Sequence, residues 1–178
     1  MHFFKYYNKK IIKHDLINKF NYGNTNKVPK LKKIILNFGC KSFKIQQFAT
    51  TLLALEILAT KKSTLTVAKN ANVLLKIQKG HAAGCKVILR EKEIYNFLTR
   101  LFLEILPKLK NFTGFKLKTK TSSFSFKLLS NEILLQEFEE QYPLFANLPD
   151  LDIHISTNSK TQKELSFLIK SLKFPVFK

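Results

Sequence analysis

A chain with 31 Lys and Arg against 12 Asp and Glu, a net charge of +19 over 178 residues, repels itself when it folds. A compact state of that charge is most stable with its cations on the outside and a polyanion against them. Nucleic acid is the expected polyanion, and an anionic membrane surface is the rival. The charge is also unevenly placed. Residues 1–48 hold eleven Lys, no Arg and the single acid Asp15, a net +10. Residues 129–155 hold six acids (Glu132, Glu137, Glu139, Glu140, Asp150 and Asp152) and no Lys or Arg. The acidic segment is therefore expected to point away from the polyanion or to meet a basic protein.

Apolar residues make up 45% of the chain, enough for one core, so residues 1–178 read as a single domain. Cys40 and Cys85 are too few for a disulfide framework or a zinc site and read as small buried hydrophobes. No apolar run reaches the roughly 18 residues of a membrane span, because Glu56 and Glu104 interrupt the two longest, so no membrane partner is expected. The first residues, Met1 to Tyr7, resemble neither a signal peptide nor an Arg- and Ser-rich transit peptide. Lys, Phe, Ile, Asn and Leu are favoured, and Arg90 and Arg100 are the only arginines beside 29 lysines. That usage is the mark of AT-rich coding, as in an organelle genome or an AT-rich microbe.

Periodicity gives the elements. Ile11, Ile12, Leu16 and Phe20 predict a helix over residues 6–20. Val28-Pro29 leads into a strand from Leu31 to Phe38, closed by Gly39. A helix over residues 44–60 is expected to bury one apolar face made of Ile45, Phe48, Ala49, Leu52 and Leu53, and residues 63–67 form a β-branched strand. Residues 69–83 are basic, with too few apolar positions for a core helix, and read as an extended arm before a strand from Gly84 to Arg90. The strongest helix, residues 91–106, repeats apolar side chains at i, i+3, i+4 and i+7 through Ile94, Phe97, Leu98, Leu101, Phe102 and Ile105 until Pro107. Phe124 and Phe126 alternate with serines on a strand, and another strand runs from Leu151 to Ser156. Thr161 and Glu164 have capping-box spacing ahead of a helix through Leu165, Leu168, Ile169 and Leu172, ended by Pro175. The order predicts an α+β fold: a mostly antiparallel sheet with helices packed on one face and an extended basic arm between two strands.

No catalytic constellation emerges. His2, His14, His81 and His154 are scattered, no phosphate-binding loop or nucleophile elbow occurs, and neither enzyme activity, cofactor nor metal site is expected. The cations are more ordered. Lys27, Lys30, Lys32 and Lys33 flank the first strand, and Lys61 and Lys62 end a helix. Lys69, Lys76 and Lys79 dot the arm, followed by Lys86, Arg90 and Lys92. Each alone is an ordinary solvated charge, but together they suggest phosphate contacts that position RNA without reading sequence. Phe124 and Phe126 would suit base stacking, but strand alternation favours core packing for them.

Several runs carry a family resemblance. Val28-Pro29-Lys30-Leu31 passes into Ile34-Ile35-Leu36-Asn37-Phe38-Gly39. Lys76-Ile77-Gln78-Lys79-Gly80 precedes Gly84-Cys85-Lys86-Val87-Ile88-Leu89-Arg90. Tyr95, Phe97 and Leu98 precede Leu106-Pro107, and Asp152-Ile153, Ile155 and Thr157 precede Leu172, Phe174 and Pro175. In order and spacing, over nearly the whole chain, these resemble the L-five family, the universal 5S-rRNA-binding proteins of the large ribosomal subunit. The resemblance implies a structural ribosomal protein. Its sheet face and N-terminal part would bind 5S rRNA, where the ribosome has one, and large-subunit rRNA in the central protuberance, beside neighbouring ribosomal proteins. The expected rRNA-contacting residues are Lys27, Lys30, Lys32, Lys33, Asn37, Lys61, Lys62, Thr66, Lys86, Arg90 and Lys92, with Asn37 matching a family sheet residue. The arm would contact P-site tRNA through Lys69, Asn70, Lys76, Gln78, Lys79 and His81.

The chain departs from the family where a Gln matches Lys61, a strand Thr matches Ile88, and an Arg-Gly-Asn segment is replaced at Thr121-Ser122-Ser123. His81-Ala82 stands where bacterial forms have Met-Pro. These departures and the composition point to an organellar, mitochondrial version. A free-standing basic RNA- or tRNA-binding module is the alternative.

Overall fold

Alternation of apolar and polar side chains sets the central strand. In β1 (Leu31–Gly39) Ile34, Leu36 and Phe38 are buried while their neighbours are not, as the two-residue period of a strand requires. The structure is a computed structural model that describes residues 3–40, 45–71, 73, 77–109, 114–116, 122–130 and 136–177. Two strands flank β1 antiparallel, β3 (Ala82–Leu89) and β6 (Leu151–Thr157), with Leu36 opposite both Val87 and Ile153. Outside them lie β2 (Thr64–Val67) and β5 (Ser123–Leu128), giving the order β2-β3-β1-β6-β5 with every pair antiparallel.

Helices close the apolar face of this sheet, so the α+β reading holds. They are α3 (Ile45–Ala59), α4 (Lys92–Arg100) and α7 (Gln162–Ser171). Phe48, Leu55, Phe97, Leu98, Leu165 and Leu168 join Ile34, Leu36 and Phe38 in one contiguous cluster. Each such side chain contributes roughly 1.5–3 kcal/mol on leaving water. The capping box at α7 is complete: Thr161 Oγ1 accepts from the Glu164 amide at 3.3 Å, and Glu164 Oε2 accepts from the Thr161 amide at 3.2 Å. Cys40 and Cys85 are buried beside the Thr51 hydroxyl, at 3.8 and 3.2 Å. The hydrogen bond with Cys40, together with burial, pushes the Cys85 thiol above its ordinary value.

The differences from the sequence reading are local. The buried face of α3 is rotated from the one expected: Phe48 is buried, but Ile45, Ala49 and Leu53 are exposed, and Thr51, Ala54, Leu55 and Leu58 face the core instead. The N-terminal helix starts at Phe3, not residue 6: α1 (Phe3–Tyr7) passes through a π turn (Asn8–Ile12) into α2 (Lys13–Lys19). Its extra turn is tied down by Phe4, whose ring stacks on Phe102 at 5.3 Å. Beyond α4 the helix continues as a π turn (Leu101–Ile105) and a 3-10 turn (Leu106–Lys108). Strand β3 starts two residues early because Ala82 pairs with Val67, so Ala82 and Ala83, read as the end of the arm, belong to the sheet. Short-range patterns also missed a parallel pair between β4 (Phe115–Lys116) and β7 (Val176–Phe177). Two short helices of the acidic segment, α5 (Gln136–Glu140) and α6 (Tyr142–Phe145), were missed as well.

Candidate nucleic-acid interface

The face of the sheet opposite the helices is polar. A strand buried on one side presents every second residue to the other. Here those residues are Lys33, Ile35 and Asn37 on β1, Lys86 and Ile88 on β3, and Thr64 and Thr66 on β2, none of them fully buried. Asn37 lies directly opposite Lys86, and Lys86 opposite Thr64, so three expected or neighbouring polar groups form one row across three strands. Phe124 and Phe126 point to the other side: Phe124 is fully buried, and the two rings pack with Phe115 and Phe174. They are core, not stacking platforms.

At the Leu89 end of β3 the chain makes a tight turn into α4. The Glu93 amide donates to the Arg90 carbonyl at 3.0 Å, and Glu91 between them has φ 47° and ψ −111°. That is the first central position of a type II′ turn, which glycine normally fills. Glu93 Oε2 accepts from the Arg90 amide at 2.9 Å and from Lys61 Nζ at 2.9 Å. Lys61 Nζ also donates to the Ile88 carbonyl at 3.1 Å. The Lys61 ammonium and the Arg90 amide together hold the Glu93 carboxyl below its ordinary value. Arg90, Lys92 and Lys62 are exposed around this corner, Lys27 and Lys30 are exposed on the approach to β1, and Lys32 is exposed at its start.

The arm leaves from the other end of β3. Its root is closed by backbone bonds, from the Ala68 amide to the His81 carbonyl at 2.8 Å and from the Gly80 amide to the Ala68 carbonyl at 2.9 Å. Gly80, with φ 88°, makes the turn that brings the chain back. Lys69, Asn70, Gln78, Lys79 and His81 are all exposed there, whereas Lys76 lies outside the described residues. At about 3.4 Å per residue the ends of the eight-residue β3 lie roughly 24 Å apart. The arm and the Arg90 corner therefore address different parts of any partner.

Residues 82–176 match the model of the C-terminus of the ribosomal L5 family. The large ribosomal subunit protein uL5m of Reclinomonas americana is 35% identical over 174 residues, covering 96% of this chain and 95% of that protein. The large ribosomal subunit protein uL5 of Wolbachia pipientis wMel is 37% identical over 175 residues, covering 96% of this chain and 97% of the relative. That of Wigglesworthia glossinidia brevipalpis is 32% identical over 178 residues, covering 98% of each. The chain belongs to the ribosomal L5 family. As a member of that family it is a ribosomal structural protein and not an enzyme.

In this L5-family chain the open sheet face changes character across its width. The β2-β3-β1 part carries Lys33 and Lys86 with no acidic side chain on the face. Strands β6 and β5 present Asp152, His154 and Ser156, and Ser123, Ser125 and Lys127. Lys127 Nζ lies 3.5 Å from Asp150 and 3.9 Å from Asp152, so its charge is met within the chain. The sequence reading missed Ser125, His154 and Ser156 as open-face residues. Alternation in β5 and β6 is a usable signal for them, but it shows the two faces without saying which one the helices cover. Lys61, expected among the rRNA-contacting residues, shares its ammonium between Glu93 and the Ile88 carbonyl and keeps 38% of its side-chain surface exposed.

Proposed function

We propose that this chain is one rRNA-binding domain that anchors in the central protuberance of the large subunit through the β2-β3-β1 half of its open sheet face. The observation that carries this reading is the row Asn37-Lys86-Thr64, with Lys33, Arg90 and Lys92 beside it, on three strands whose open face carries no acid; Asp152 of the next strand lies across from Asn37, and Glu93 at the Arg90 corner is paired with Lys61. Lysines set along a sheet meet phosphates as point charges and fix register, and Asn37 and Thr66 add hydrogen bonds that can reach sugar hydroxyls. The RNA is large-subunit rRNA and, where the ribosome retains one, 5S rRNA. The arm carries Lys69, Asn70, Gln78, Lys79 and His81, with Lys76 between, to P-site tRNA, where backbone contacts are common to every tRNA. The acidic segment faces a basic ribosomal neighbour. The relative named uL5m and the AT-rich composition support a mitochondrial ribosome.

Sucrose-gradient sedimentation tests this directly. The protein is expected to travel with large subunits through high salt, and cross-links from Lys86 and Arg90 are expected to land on rRNA. Release of the protein as a free species at moderate salt would favour the free-standing RNA-binding module instead.

A further inference from the structure

We infer that Glu93 and Lys61 form a brace that positions Arg90, so that Lys61 is not a phosphate ligand and Glu93, though acidic, supports RNA binding. The inference rests on the rRNA-binding reading above. A carboxylate in a surface meant for a polyanion is unfavourable by simple charge arithmetic, so its presence beside Arg90 and Lys92 needs a reason. The geometry supplies one. A single oxygen, Glu93 Oε2, holds the Arg90 amide at 2.9 Å and Lys61 Nζ at 2.9 Å, and the same ammonium reaches back to the Ile88 carbonyl at 3.1 Å. The Glu93 amide closes the turn on the Arg90 carbonyl at 3.0 Å. Arg90 is thus gripped through its backbone on both sides while its side chain stays exposed.

The turn needs that grip, because Glu91 within it sits at φ 47°, a conformation that a non-glycine residue adopts only when its surroundings impose it. The pair is exposed, with 38% and 36% of the two side-chain surfaces accessible, and pairs of this kind add little to stability in themselves. Its consequence is positional: it converts a strained turn into a fixed mount for a guanidinium, the side chain best suited to bidentate phosphate contact. A lysine whose charge is already met by a carboxylate releases no counterion when RNA arrives, so it leaves no trace in the salt dependence of binding.

The test compares variants of the full chain binding a large-subunit rRNA transcript over a range of salt, with thermal melting measured alongside. Arg90→Ala is expected to lower the slope of log affinity against log salt by about 0.9, the contribution of one phosphate contact. Lys61→Gln is expected to leave the slope unchanged. Glu93→Ala is expected to weaken binding about tenfold, as loss of a charged hydrogen-bond acceptor implies, although it removes a negative charge. Glu93→Gln, which keeps an acceptor for the Arg90 amide, is expected to restore most of that loss. A slope lowered by about 0.9 in Lys61→Gln, or tighter binding by Glu93→Ala at unchanged melting temperature, would overturn the brace. If Arg90→Ala and Lys86→Ala both leave the slope unchanged, the rRNA-binding reading of the face fails instead.

Discussion

The two ends of β3 solve opposite problems. At the Ala82 end backbone hydrogen bonds close the sheet, from the Cys40 amide to the Ala83 carbonyl and from the Ala68 amide to the His81 carbonyl. Gly84 lies against the carbonyl of Phe38, so close that an added Cβ would come within 2.3 Å of that oxygen and 3.3 Å of Thr66 Oγ1. At the Leu89 end the backbone is strained at Glu91, and side chains hold it through Glu93 and Lys61. Dense backbone packing gives the arm a firm root, and Lys69, Asn70, Gln78, Lys79 and His81 are exposed on it. Side-chain bracing gives the Arg90 corner a fixed outline against which a rigid polyanion can register. Under the proposed function one strand joins an anchoring end to a reaching end, and variants that damage one should spare the other.

Gly84→Ala is the strongest way to break the contrast. Its new methyl meets backbone, which cannot swing aside, so β1 and β3 must part at the arm root. A loss of about 3 kcal/mol, near the upper range for overpacking, is expected in urea denaturation. Wild-type stability would show that the root is looser than the contact at Phe38 implies. Glu91→Gly works at the other end and in the opposite direction. Glycine adopts the II′ conformation freely, so the variant should gain about 1 kcal/mol, the lower range of backbone strain, read as a raised denaturation midpoint. A lowered midpoint would mean that Glu91 makes contacts worth more than its strain.

The smallest effect is in pH. Glu93 is held below its ordinary value of 4.5, chiefly by its hydrogen bond with Lys61. A depressed carboxylate stabilises the fold fully above its unfolded value and loses that contribution as pH falls through the folded one. The brace should therefore be intact at neutral pH and through pH 5, and loosen only below the usual carboxylate range. NMR titration of the Glu93 carboxyl carbon reads this, and a midpoint at or above the ordinary value would show that the pair does not form in solution.

Much of this was legible in the sequence where the signal is local. The two-residue period of β1, the helical stripe from Ile94 to Ile105 and the Thr161–Glu164 spacing each name their element, because the residues that bury or cap one another are near neighbours. The β4–β7 pair was not legible, since Phe115 and Val176 meet across 61 positions and two-residue strands leave no periodic trace. Lys86 and Arg90 could be nominated as basic surface residues, and the structure leaves both exposed. Lys61 was harder: its environment is set by Glu93, 32 residues away, and a lysine at a helix end looks the same whether it faces solvent or a carboxylate. The strain at Glu91 was not legible at all, because a single residue type carries no sign of φ.

The contrast between anchor and arm is tested most directly in assembled particles. Lys86→Ala with Arg90→Ala would be compared with Lys76→Ala with Lys79→Ala, each in the full chain, after sedimentation of large subunits in high salt and measurement of P-site tRNA dissociation. The first pair is expected to strip the protein from the particle. The second is expected to leave its occupancy near normal while tRNA leaves faster, more so as salt rises. Loss of the arm variant from the particle, or retention of the sheet-face variant with tRNA release unchanged in both, would contradict the assignment of anchoring to one end of β3 and reach to the other.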